Sequence, residues 1–177
     1  MSYTPTGMFR APHKMRLMLA ACATVQSLFD VSDATSALPR ITTYGHDVDQ
    51  FNVPVLSCPS AMVCDSEVHL STDEFGGLLD IAQRTLETWI EFYVPASIGE
   101  LATDQHGWVN DQFGSIVSEC LALTGRGEPT PGSTHLSVVN PVYQGAEKRP
   151  ADMRGDERLD PSPELPRWFG LVTWEIR

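Results

Sequence analysis

Two apolar stripes at helical spacing and three stretches of strand-like alternation place this chain among the α+β proteins. The pattern predicts a mixed or antiparallel sheet of about four to six strands. Two main helices pack on it, and a long polar arm precedes the last strand. At 177 residues and 42% hydrophobic content, one core suffices. Residues 1–12 read as an N-terminal arm with two prolines, and 13–177 as a single α+β domain.

The first helix is predicted over residues 13–30. Its segment "HKMRLMLAACATVQSLFD" contains "LAAC", ending at Cys22, which looks like a lipoprotein cleavage box behind Arg10, Lys14 and Arg16. The apolar run from Leu17 to Ala21 is too short for that, because a signal needs roughly seven to fifteen apolar residues. Met15, Met18, Cys22, Val25 and Phe29 instead recur at three and four residues, which puts them on one face of a helix. In "SDATSALPRI", Ser32 or Asp33 caps a short helical turn that Pro39 ends, and "TTYGHDVDQFN" reads as loop.

Strands are expected at Val53–Leu56 and Ala61–Leu70. In the second, Met62, Cys64, Val68 and Leu70 share one face, with Glu67 and His69 opposite. "TDEFGG" reads as a turn, and Leu78–Gln83 fits either state. Thr85–Val94 reads as a long central strand, with Leu86, Thr88, Ile90, Phe92 and Val94 on one face. Its other face, Glu87, Trp89, Glu91 and Tyr93, is acidic and aromatic, and Pro95 ends it.

The second main helix starts at an Asp104 cap. It carries Trp108, Val109, Phe113, Ile116, Val117, Cys120 and Leu121 as its stripe, and Gly125 terminates it. "THLSVVNPVYQG" is a strand in which Pro141 marks an edge or a bulge. Residues 145–167 hold four prolines, six acids and five bases, a composition with too few apolar groups to form a core. They read as an extended polar arm that leans on a neighbouring subunit. The closing strand places Trp168, Val172, Trp174 and Ile176 on one face, and Phe169, Leu171, Thr173 and Glu175 on the other. With both faces apolar, it belongs inside the sheet.

Charge is the most informative total. The chain carries a net −11, and between Arg40 and Arg126 thirteen acids meet one base, Arg84. That middle region repels phosphate backbones, which argues against direct nucleic-acid binding. No apolar run approaches the ~20 residues of a membrane helix. Four cysteines are too few for a disulfide scaffold at this length, and the expected compartment is reducing. Cys22 and Cys120 fall on apolar helix faces, where a free cysteine acts as a small hydrophobe.

No constellation names a chemistry. Cys58, Cys64 and His69 lack the spacing and the fourth ligand of a zinc site. "GHDVD" sets His46 beside Asp47 and Asp49, an isolated cluster that reads as a solvated loop, with a small metal-dependent enzyme as the alternative. Glu87 and Glu91, four apart on a strand, stand ~13 Å from each other, too far for a glycosidase pair. Trp168, Phe169 and Trp174 read as core or interface packing rather than a stacking platform. No metal and no cofactor is expected.

The order of elements is a helix in "LMLAACATVQSLF", paired short strands, the strand "TLETWIEFYV" and the helix "WVNDQFGSIVSECLALTG". The strand "THLSVV", a polar arm and the strand "WFGLVTWEI" follow. This order resembles the neck and tail proteins of long-tailed bacteriophages, most of all the tail terminator family. The resemblance spans roughly residues 14–176 as a pattern without a signature motif, and 145–167 is longer than the family's usual loop.

The resemblance implies a homo-oligomeric ring, typically a hexamer, at the head–tail junction of the virion, assembled in the host cytoplasm. The ring caps the tail tube protein and joins the head connector or stopper. DNA passes through it without specific binding, and no membrane is involved. It implies no catalytic residues. Lumen-facing acids are then expected among Asp65, Glu67, Asp73, Glu74, Glu87 and Glu91. Subunit contacts are expected at Glu147, Lys148, Arg149, Arg154, Arg158 and Trp168. The alternatives are an adaptor, which should be mostly helical, a stopper, or a host-modulating binder without a ring.

Overall fold

The computed structural model describes residues 10–44, 58–69, 83–124, 138–149 and 167–176. The elements run α1 (Arg10–Ala21), α2 (Ala23–Leu28), α3 (Ala34–Ala37), a 3-10 turn (Leu38–Arg40), β1 (Ile41–Tyr44), β2 (Ser60–His69) and β3 (Gln83–Tyr93). A second 3-10 turn (Ala96–Ile98), α4 (Ala102–Leu123), β4 (Val138–Arg149) and β5 (Arg167–Ile176) complete them. The five strands form one mixed sheet in the order β1-β2-β3-β5-β4, parallel only between β1 and β2. The α+β class, the strand number and the helical cover therefore agree with the sequence reading.

The helices cover one face of the sheet. Met15, Leu19, Val25 and Phe29 from α1 and α2 are fully buried, as are Val109, Phe113, Ile116 and Cys120 from α4. They meet Ile41, Val63, Leu86, Ile90, Phe92, Val172 and Trp174 of the strands in one core. Thr88 is completely buried among them, and its hydroxyl accepts a bond from the Trp174 indole N–H at 3.0 Å, so its polarity is satisfied. The predicted face sets of β3 and β5 are thus observed, with Leu86, Thr88, Ile90 and Phe92 and with Trp168, Val172 and Trp174 turned inward, and β5 lies inside the sheet.

Several expectations need correction. The single helix over 13–30 is two helices, and the first begins at Arg10, inside the expected N-terminal arm. The break falls at Cys22, which is extended (φ −70°, ψ 125°). Neither Gly nor Pro stands there to break a helix; the cause is tertiary. Glu119 of α4 accepts bonds from the Thr24 amide (3.2 Å) and hydroxyl (2.5 Å), so its carboxylate caps the start of α2. The Gln26 amide closes the end of α1 by donating to the Ala20 carbonyl at 2.8 Å.

Asp33 does cap α3, accepting from the Ser36 amide at 2.9 Å. Pro39 sits within the following 3-10 turn rather than after a stop. Ile41–Tyr44 pairs with Ala61–Cys64 as an edge strand, although Thr42–Tyr44 were expected as loop. On β2 it is Ala61 and Val63 that enter the core, while Met62 and Cys64 are half-buried on the opposite face. Alternation carries no information on which face is inward, and a bulge between Asp65 and Glu67 then shifts the phase.

Asp104 is inside the first turn of α4, whose N-cap is Leu101. Leu121 is 40% exposed rather than part of the stripe. Pro141 falls on edge strand β4, inside the register irregularity between Val139 and Val142, as a residue without a backbone N–H should. That strand continues through Gly145 (φ 94°) to Arg149, so the start of the expected arm is sheet. Arg167, at its end, opens β5. Val53–Leu56, residues 72–77, Leu78–Gln83 apart from Gln83, and Gly125 lie outside the described residues.

Candidate functional site

The sheet's second face, opposite the helices, is where the chain concentrates aromatic and acidic side chains. β3 supplies Glu87, Trp89, Glu91 and Tyr93, β5 supplies Arg167, Phe169, Leu171 and Thr173, and β2 adds Met62 and Cys64. Strand pairing aligns Trp89 with Leu171 and with Met62, which builds an apolar strip across three strands. Trp89 and Phe169 pack at 4.9 Å between ring centroids, tilted by 41°. Beside them the irregular register of β4 opens a groove of about 340 Å³ lined by Trp89, Gln144, Glu147, Phe169 and Leu171.

One end of this face is closed by charge. The Arg167 Nε lies 2.6 Å from the Glu91 carboxylate, and both side chains are buried, at 2% and 9% exposure. Removing two charges from water is costly unless they are paired, so each group requires the other. Sequence reasoning treated Glu91 as an open acid and left Arg167 inside a polar arm. The register shows why they meet: Phe92 pairs with Trp168, which leaves Glu91 and Arg167 diagonal on the same face.

The other named residues separate as follows. Glu87 is half-buried on this face. Asp65 and Glu67 are backbone positions of β2, opposite Leu86 and Thr85, and their side chains lie outside what is described. Asp73 and Glu74 lie outside the described residues altogether. Glu147 and Lys148 are exposed on edge strand β4, and Arg149 pairs in register with Arg167. Arg154 and Arg158 lie outside.

Trp168, expected at a subunit contact, points into the helix-covered core at 5% exposure, with its ring 5.5 Å from that of His106. It shares the inward face with Gly170, Val172 and Trp174. His46, Asp47 and Asp49 also lie outside. Among the described residues, no group of three or more His, Cys, Asp or Glu side chains is placed to hold a metal ion. No helix among them is long and apolar enough to cross a membrane.

Cys22 and Cys120 carry buried, unoxidised thiols. Cys22 and Cys120, from different helices, bring their sulfurs to 3.5 Å in the core. Their apolar placement was legible in the sequence; their contact was not. No protein-family model matches this sequence, and no curated protein matches it.

Proposed function

We propose that this chain is a structural component of a long-tailed phage neck, a tail terminator. In this reading its copies close into a ring, of six subunits by the resemblance, that caps the tail tube and meets the head connector. It acts without catalysis, cofactor or metal, and DNA slides through without being bound.

One observation carries the reading: a sheet covered by helices on one side, whose other side bears an aromatic strip flanked by the Glu87 and Glu147 carboxylates. A chain with a net −11 can present such acids toward DNA and repel it. The apolar strip through Trp89, Phe169 and Leu171 offers surface for protein contact. A five-stranded sheet also favours a terminator over an adaptor, which should be mostly helical.

Tail tube growth tests the proposal. Tube subunits polymerising in the presence of the protein should stop at capped ends, visible by electron microscopy as a ring at one tip. Tubes that lengthen as if the protein were absent would contradict it.

A further inference from the structure

We propose that Cys22 and Cys120 form a reversible disulfide latch, closed by a small organic disulfide, that locks the broken helix pair onto α4. The two sulfurs are 3.5 Å apart although 98 residues separate the cysteines in sequence. A disulfide requires about 2.05 Å, so closure needs a movement of roughly 1.5 Å, within reach of rotamer adjustment and a small helix shift. The latch would join the α1–α2 break to the last turns of α4. The Glu119 carboxylate on Thr24 already ties these elements together.

The resting state is protected. Cys22 is 1% exposed and Cys120 is fully buried, and the Cys22 thiol also donates to the Met18 carbonyl at 3.3 Å. The hydrogen bond with Cys120, and then burial, hold the Cys22 thiol well above the usual thiol range. Thiolate is therefore scarce and the reagent excluded. Reaction starts when α2, only six residues long, lifts away.

The chemistry then runs in two exchanges. One cysteine loses its proton and its thiolate attacks a sulfur of the small disulfide, forming a mixed disulfide and expelling one thiolate. The second cysteine's thiolate attacks the protein sulfur of that bond and expels the other. The two cysteine protons end on the two released thiols. The protein pair is oxidised by two electrons, and the reagent is reduced by two.

The test uses the full chain carrying Cys58→Ser and Cys64→Ser, folded and incubated with oxidised glutathione at mildly alkaline pH. We expect a mass loss of two hydrogens, a peptide map joining Cys22 to Cys120, and a Tm rise of roughly 10 °C that dithiothreitol reverses. Adding Glu119→Ala should speed closure on the order of tenfold, by freeing α2. The same peptide map on the wild-type chain keeps the test independent of the serine background. Glutathione adducts without the cross-link, two thiols that stay free while the denatured chain oxidises, or a cross-link that lowers Tm would each overturn the proposal.

Discussion

The ring of Phe113 lies directly over Gly170, so close that a Cβ built on the glycine would overlap the ring's Cζ and Cε2. This contact lets α4 approach β5, and Tyr143 of β4 completes it by stacking on Phe113 at 4.8 Å. Only a residue without a side chain fits there. Gly170→Ala should therefore destabilise the fold by about 1–3 kcal/mol through overpacking. Pairing it with Phe113→Leu should cost less than the two single changes summed. Urea unfolding of the three variants measures the coupling; strict additivity would show that the two residues do not compete for space.

The clasp between Glu119 and Thr24 explains a helix break that propensity does not. Glu119→Ala removes a carboxylate from two donors, the Thr24 amide and hydroxyl. A loss of roughly 1–3 kcal/mol is expected, from charge-assisted bonds partly replaced by water. Amide exchange should accelerate in Ala23–Leu28 while β3 and β5 stay protected. Uniform acceleration across the chain would mean that the clasp is no local device.

Breaking the buried pair is predicted to be more harmful than deleting it. Arg167→Met leaves the Glu91 carboxylate buried without its partner guanidinium, and should cost about 3–5 kcal/mol. The double variant Arg167→Met with Glu91→Leu should recover most of that loss. Thermal melts of single and double variants decide; a double variant as unstable as the single one would place the damage in packing rather than in charge.

His13 gives the fold a pH signature. Burial first, and the nearby Arg16 guanidinium second, lower its pKa below the usual 6.5. The unfolded chain therefore binds the proton more readily than the folded one. Stability is fully present above about pH 6.5 and declines as pH falls from there to the lowered folded value, where it levels off. His13→Gln should flatten this part of the stability curve. A wild-type curve already flat between pH 7 and 5, matched by the variant, would show that His13 titrates alike in both states.

If the second sheet face lines a channel, Glu87 acts on DNA movement and not on folding. Glu87→Gln should leave Tm within about a degree and slow DNA release from assembled particles. Unchanged ejection in a folded Glu87→Gln variant would exclude Glu87 from the lumen.

Much of the architecture was legible because burial imposes period. Met15, Met18, Cys22, Val25 and Phe29 are all buried, although the helix they predicted is interrupted in the middle. The grouping of residues into two faces on β3 and β5 followed from alternation, and Pro141 announced an edge. What failed depended on partners distant in sequence. Glu119 lies 95 residues from the Thr24 it caps. β1 is four residues without alternation and exists because β2 offers it an edge. Residues 145–149 are polar because an edge strand tolerates water, so composition disguised them as arm. The Glu91–Arg167 pair combined a strand residue with one assigned to a loop, and register alone brings them together.

Assembly is the central claim, and the mass of the purified protein in solution tests it most directly. Native mass spectrometry or light scattering, with and without tail tubes, should find a closed ring, or a monomer that becomes one on tubes. A monomer that keeps its mass with tubes present would contradict the account.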